Sequence, residues 1–323
     1  MYDVIIIGGG PAGVAAAVYT ARKQLKTLLI TESFGGQSIV SDDIQNWIGE
    51  SHISGYDLAQ KMEAHVRAFP EFVEIKIPEL GTLVEAIRCS GEGASSVCDF
   101  KVTTDKGNSY ESKTVILTAG ARRRKLGILG EDTFNGRGVA YCSTCDAPLF
   151  KDKKVAVVGG GNAGLEAVQD LLTYASEIYL LEFGETLKGD PVTQADIKKS
   201  PKLKEIIFNA QTLEVVGEKF VTGLKYKDRK TNEEKLLDVG GIFVEIGSVP
   251  NSEMVKDLVA LDKWGQIIID SKHASTSRGG VFAAGDITDD PYKQNNISVG
   301  DAVKAALAAY NYILKRNSAE QTH

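Results

Sequence analysis

The chain opens on two kinds of hydrophobic pattern in quick succession. Residues 4–7, Val4-Ile5-Ile6-Ile7, form an unbroken apolar run that predicts a strand. The turn Gly8-Gly9-Gly10-Pro11-Ala12-Gly13 follows, then a helix-like stretch at 15–22 and a second apolar strand at 27–31 that ends in Glu32. The same grammar returns near mid-chain. Residues 154–158 predict a strand, Gly159-Gly160-Gly161-Asn162-Ala163-Gly164 a turn, 165–174 a helix, and 177–181 a strand closed by Glu182. Towards the C-terminus, Gly280-Val281-Phe282-Ala283-Ala284-Gly285-Asp286 reads as a short buried strand ending in Gly-Asp, and a helical stretch follows at 299–314.

A strand, a glycine turn and a helix in that order make a dinucleotide fingerprint. Gly8 permits the tight turn, Gly10 lets the backbone approach a pyrophosphate, and Gly13 allows close helix-to-sheet packing, with Pro11 and Ala12 opening the helix that faces the phosphates. Glu32, 19 residues after Gly13, is placed to accept a ribose hydroxyl. In the second unit Gly159, Gly161, Asn162, Ala163 and Gly164 fill the turn and Glu182 takes the place of Glu32. Two complete units predict two dinucleotides. A carboxylate suits the 2′-hydroxyl of NAD and repels the 2′-phosphate of NADP, by on the order of 1–4 kcal/mol for like charges about 4 Å apart. Phe183 and Gly184 stand where an NADP site wants arginine, so NADH is the expected donor, with NADPH less favoured. Asp286, taken with the first turn, suits a carboxylate that caps the ribitol and pyrophosphate of FAD.

Composition narrows the class. The 323 residues are 43% hydrophobic and 25% charged, which leaves room for about two globular domains. A net charge of −6 argues against a nucleic-acid surface, and the one basic run, Arg122-Arg123-Arg124-Lys125, reads as a solvated turn. The chain enters its first strand with no positively charged leader, and no apolar run approaches the roughly 20 residues that span a bilayer. A cytoplasmic, reducing location is therefore expected. Four cysteines do not make a disulfide scaffold, and in a reducing compartment the pair in Cys142-Ser143-Thr144-Cys145-Asp146 favours catalysis over structure. The alternative is half of a zinc site, which needs four ligands. Cys89, Cys98 and scattered histidines are the remaining candidates, and no metal is expected.

At this point the residues resemble a known family. The stretches Gly35-Gly36-Gln37, Gly138-Val139-Ala140-Tyr141-Cys142, Asp146-Ala147-Pro148-Leu149-Phe150, Phe282-Ala283-Ala284-Gly285-Asp286 and Pro291-Tyr292-Lys293-Gln294, with others between them, are similar to the low-molecular-weight thioredoxin reductases. Among these they most resemble the reductase portion of alkyl hydroperoxide reductase flavoproteins. The resemblance implies an α/β fold of two Rossmann-like domains: a discontinuous FAD domain over 1–118 and 249–323, and an NAD domain inserted at 119–248. It implies that Cys145 is the flavin-proximal thiol, Cys142 the interchange thiol that attacks a partner disulfide, and Asp146 the acid/base residue. Gly36, Gln37, Asn46, Gly285, Asp286 and Gln294 would join the first turn in holding FAD. A homodimer is implied by the same analogy. There are departures. The alkyl hydroperoxide reductase flavoproteins carry an N-terminal thioredoxin-like extension, whereas this chain begins at the FAD strand, so the acceptor is expected to be a separate protein. Glu182-Phe183-Gly184 replaces the family's basic residues, and Ser298-Val299-Gly300-Asp301 differs from its glycine-rich pattern.

The position of the cysteines says more than their presence. In the glutathione-reductase type they lie soon after the first glycine turn, where this chain has Phe34-Gly35-Gly36-Gln37. Here the pair sits 14 residues before Gly159, inside the NAD domain. Nicotinamide and disulfide thus ride on one domain, and both must reach one flavin. A rotation about the crossings Thr118-Ala119-Gly120-Ala121 and Gly247-Ser248-Val249-Pro250 is expected, with Gly120 and Gly247 as hinges. Cys89 and Cys98 flank a Gly/Ser-rich segment at 90–96 that reads as a surface loop between strands, with no role assigned and a regulatory disulfide as the alternative. The expected activity is FAD-dependent reduction of a protein disulfide, from NADH to a thioredoxin- or glutaredoxin-like acceptor that feeds a peroxiredoxin. The alternatives are an NADPH-dependent thioredoxin reductase and a flavin reductase or oxidase that does not use the disulfide.

Overall fold

A computed structural model describes residues 1–41, 43–90 and 97–320. The loop expected at 90–96 therefore lies, but for Ser90, outside the described residues. Along β1 (Tyr2–Gly9), Val4 and Ile6 pack to one side and Ile5 and Ile7 to the other, as a strand covered on both faces requires. The first side is filled by α1 (Pro11–Arg22), whose alanines permit close approach. Then come β2 (Thr27–Phe34), α2 (Gly55–Arg67), β3 (Val73–Lys76), β4 (Gly81–Ser90), β5 (Val97–Thr104), β6 (Ser109–Leu117) and β7 (Ala121–Arg123). β2 runs three residues beyond the expected strand end and carries Glu32 within it, because the Gly9–Phe34 pairing continues the ladder past a bulge.

The next segment builds a second sheet. It comprises β8 (Val139–Ala140), α3 (Ser143–Asp146), β9 (Lys154–Val158), α4 (Asn162–Leu172), β10 (Glu177–Leu181), α5 (Pro191–Ile197) and β11 (Leu203–Ile207). These are followed by β12 (Ala210–Gly217), β13 (Val221–Asp228), β14 (Glu234–Asp238), β15 (Gly241–Val244) and β16 (Ser248–Pro250). The parallel sheet has the order β11-β10-β9-β15-β8, and β12-β13-β14 form a separate antiparallel sheet. The glycine turn after β9 lies at the carboxyl end of a central strand, where α/β sheets bind ligands.

The chain then returns to complete the first sheet. β17 (Val281–Ala283) pairs parallel with Val115–Leu117 of β6, and α6 (Asn295–Glu320) lays Ala302, Ala305, Ala306 and Ala309 into the core that also holds α1. The sheet order is β3-β2-β1-β6-β5-β4, with β17 beside β6. Two compact units result, Met1–Arg122 with Val249–His323, and Arg123–Ser248. Each is a Rossmann-like α/β unit with a core on both faces of its parallel strands. β7 and β16, on which the chain crosses between the units, pair with each other.

Candidate active site and nucleotide turns

In the first unit, the turn after β1 opens a cleft of about 700 Å³. Gly8, Gly10, Pro11 and Ala12 line it, together with Glu32, Gly36 and Gln37. Gly285 and Asp286 reach the same cleft from the C-terminal segment, joined by Asn295 and Ser298 of α6. Gln37 Nε2 donates to the Ala121 carbonyl. Gly13 does not line the cleft. It packs beneath it, where an added Cβ would fall 1.7 Å from the Gly8 carbonyl oxygen. Asn46 and Gln294 also stand apart from the lining and bond each other, Asn46 Nδ2 to Gln294 Oε1 at 3.2 Å, with Asn296 donating to the Asn46 carbonyl at 2.7 Å. Trp47 is half-buried against the core.

The cleft fits a dinucleotide. No side chain caps the N-terminus of α1, whose Ncap is Gly10, so the N–H groups that open every helix have a phosphate's oxygens as natural partners. Two lining carboxylates, Glu32 and Asp286, suit hydroxyl-bearing sugar parts.

The second turn repeats the first closely. Gly8 and Gly159 share positive φ values of 113° and 124°, and a Cβ at Gly164 would lie 1.7 Å from the Gly159 carbonyl oxygen, the same approach as Gly13 to Gly8. Gly161 caps α4 without a side-chain bond and has open space above it, and Ala163 is exposed in the first turn. Asn162 Oδ1 accepts the Asp190 N–H at 2.8 Å and ties the turn to α5. Glu182 is buried, with Oε2 accepting the Gly160 N–H and Oε1 the Gly184 N–H, each at 2.7 Å. Its carboxylate is thus fixed in place with lone pairs left for a ribose. Beside it Phe183 is exposed, and Arg229 stacks over the ring at 4.0 Å while donating to the Phe183 carbonyl.

Cys142 and Cys145 form a disulfide across the short helix α3, in the unit that carries this second turn. Cys142 is half-buried and Cys145 exposed. Three contacts fix the segment. Ser143 Oγ and Thr144 Oγ1 both donate to Asp170 Oδ2 of α4, at 2.8 and 3.3 Å. Tyr141, just before Cys142, donates to the buried carboxylate of Glu131, which also accepts the N–H groups of Leu126 and Gly127. Asp146 makes no side-chain cap to the turn that follows it. Burial raises its carboxyl to about 6, against the pull of Arg123.

Sequence reasoning missed two members of this group. Glu245, at the end of β15, is buried, and its carboxyl is raised to about 7 by that burial, with Arg123 and the Ser143 backbone opposing and the charges of Asp170 and Asp146 adding. Arg123, read as part of a solvated turn, is half-buried and faces both carboxyls. The first two residues of the run lie in β7, so neighbours diverge: Arg122 bonds Asn251 and Glu253 instead. The signal for Glu245 is one charged residue in Gly241-Ile242-Phe243-Val244-Glu245-Ile246, a place where an ion must find partners.

Cys89 and Cys98, assigned no role from sequence, pair as the alternative reading allowed. They too are joined in a disulfide, because the β4/β5 register sets the two positions opposite each other, with Cα atoms 4.1 Å apart. Among the described residues no group of three or more His, Cys, Asp or Glu could hold a metal ion, and no helix is long and apolar enough to cross a membrane.

A family model for pyridine nucleotide-disulphide oxidoreductases matches residues 2–309. The chain belongs to this family. Within it, a component of the alkyl hydroperoxide reductase of Pseudomonas putida is 44% identical over 98% of this chain and 59% of its own length. A protein named NADH dehydrogenase from Bacillus subtilis is 42% identical over 97% of this chain and 59% of its own. The chain thus spans about three-fifths of these relatives. A thioredoxin reductase structure from Streptococcus pyogenes superposes with a TM-score of 0.85 at 34% identity, covering 98% of this chain and 99% of that one. For an oxidoreductase of this family, a disulfide on the unit with the second glycine turn matches the resemblance to thioredoxin reductases drawn from the motifs.

Proposed function

We propose that this oxidoreductase reduces the disulfide of a separate thioredoxin- or glutaredoxin-like protein, with NADH as electron donor and FAD as resident cofactor. The observation that carries the reading is the Cys142–Cys145 disulfide beside the second glycine turn, flanked by two carboxyls poised at about 6 and about 7. FAD in the first-unit cleft would supply two-electron transfer between nicotinamide and disulfide. Gly10, Pro11 and Ala12 would hold its pyrophosphate, with Glu32 and Asp286 on its sugar parts. Gly36 and Gln37 would close over it, with Asn46 and Gln294 supporting the start of α6.

The chain's own groups handle the thiols. Cys142 attacks the partner disulfide as a thiolate, forming a mixed disulfide, and Cys145 resolves it by re-forming the Cys142–Cys145 bond, which releases the partner dithiol. A thiol with pKa near 8.5 needs a proton acceptor at neutral pH. Asp146 is that acceptor, with Glu245 coupled to it and Arg123 acting on both. At Glu182 the fixed, buried carboxylate favours a ribose 2′-hydroxyl over a 2′-phosphate, since it cannot swing away from a like charge. Gly120 and Gly247 precede β7 and β16, have positive φ of 65° and 92° and have nothing within 4 Å of an added Cβ. Such unpacked left-handed glycines support a domain rotation about the two crossings.

The deciding experiment uses Cys145→Ser protein with FAD bound. After reduction, incubation with thioredoxin- or glutaredoxin-like proteins should trap a mixed disulfide through Cys142. Full turnover of such partners by a Cys142→Ser, Cys145→Ser double variant would instead favour the flavin reductase reading.

A further inference from the structure

We propose that Cys89–Cys98 is a second thiol-exchange site, opened by a low-molecular-weight thiol of the glutathione type and chemically separate from Cys142–Cys145. The two sulfurs are unequal. Cys89 is exposed at the end of β4, the outermost strand of its sheet, whereas Cys98 is fully buried. Of the two residues, Cys89 is thus the one open to a solution thiolate.

The buried end is built to receive the departing charge. Arg278 Nη2 lies 2.7 Å from Cys98 Sγ and 3.3 Å from Cys89 Sγ. Neighbouring Asp99 spends its charge on two other arginines. Burial pushes the Asp99 carboxyl up, yet Arg88 Nε at 2.9 Å and Arg316 Nη2 at 2.8 Å hold it below the usual range. Arg316 also donates to the Cys98 carbonyl, so the strand bearing the leaving sulfur is anchored to α6. A guanidinium beside a thiol stabilises the thiolate, and a more stable leaving thiolate departs faster.

The step balances as an exchange. A thiolate RS⁻ bonds to Cys89 Sγ, the Cys89–Cys98 bond breaks, and its electron pair leaves on Cys98 Sγ beside Arg278. A second RS⁻ attacks the sulfur of R in the adduct, giving RSSR and the Cys89 thiolate. Two thiols are oxidised to one disulfide, the protein disulfide is reduced to two thiols, and the two protons pass from the reagent thiols to solvent and the cysteines. Oxidised glutathione runs the sequence backwards. Neither direction calls on the nucleotide sites, so the inference stands or falls independently of the proposed activity.

The test incubates the full-length native protein with reduced glutathione, quenches with acid, and reads adducts and alkylated thiols by peptide mass spectrometry. A glutathione adduct on Cys89 with a free Cys98 thiol is expected, forming faster than global unfolding measured under the same conditions. Arg278→Met should slow opening by about tenfold, and Arg278→Lys should recover much of the rate. An adduct on Cys98, opening only at the rate of unfolding, or no opening at all would overturn the proposal in wild-type protein, whether or not the variants fold. An unchanged rate in a folded Arg278→Met protein would also overturn it.

Discussion

The Ser143 hydroxyl donates to Asp170 Oδ2 at 2.8 Å, which joins the redox turn to the helix that starts at the second glycine turn. One carboxylate oxygen thereby holds the two residues between the cysteines, since Thr144 bonds the same atom. Asp170→Ala should loosen α3 and slow exchange with a protein disulfide by about 10- to 100-fold, the scale expected for losing a charge-assisted bond of about 1.5–3 kcal/mol. NADH-driven bleaching of bound flavin should be unchanged. Equal loss in both half-reactions, followed by stopped flow, would show a folding defect instead.

The proton-accepting role proposed for Asp146 should separate from electron supply. Asp146→Asn should slow thiol exchange by about 10²-fold, within the usual range for a positioned acid or base, while leaving NADH-driven flavin reduction intact. Exchange in the wild type should rise with pH as this carboxyl loses its proton near 6. Unchanged disulfide turnover in the variant would remove the role.

Glu245 makes a prediction about stability with a definite sign. Its folded-state carboxyl sits at about 7, raised from 4.5, so the folded chain holds a proton that the unfolded chain has lost across that window. Stability contributed by this group is therefore undiminished below about pH 4.5 and falls as pH rises towards 7. Glu245→Gln keeps an acceptor for the Ser143 N–H and removes the ionisation. The variant should match wild type near pH 4 and gain up to about 3 kcal/mol near pH 8, read from urea unfolding at both pH values. A gain independent of pH would contradict the assignment.

Glu182 should set the donor preference. Steady-state kcat/KM is expected to be higher for NADH than for NADPH, and Glu182→Ala should narrow that ratio by about tenfold as the like-charge repulsion is lost. Arg229→Ala tests the neighbouring stack. If Arg229 serves only to hold Phe183, the variant should raise KM for both nucleotides alike, whereas a selective loss with NADPH would reveal phosphate recognition.

Alternation between two orientations has its own check. A verified cross-link between the units should block turnover whichever orientation it captures, and retained full activity would refute rotation. Gly247→Ala, which meets no neighbouring atom, should cost only the left-handed backbone penalty of about 1–2 kcal/mol. Its effect on turnover then reports on the hinge rather than on packing.

The local pattern determined a good deal by itself. Strand, glycine turn and helix are contiguous in sequence, and the close approaches that need glycine, Gly13 on Gly8 and Gly164 on Gly159, are made within six residues. Both Rossmann-like units and the family resemblance were legible for that reason. The Cys142/Cys145 pairing is likewise local, three residues apart. Tertiary structure alone decided what lies around those cysteines. Arg123, Glu245 and Asp170 come from β7, the end of β15 and α4, and no spacing rule links them to Cys142. The same holds for Cys98 and Arg278, 180 positions apart, and for the raised carboxyls near 6 and 7. Proton affinity depends on how much water is displaced and which charges are close, quantities that exist only once distant segments have packed together.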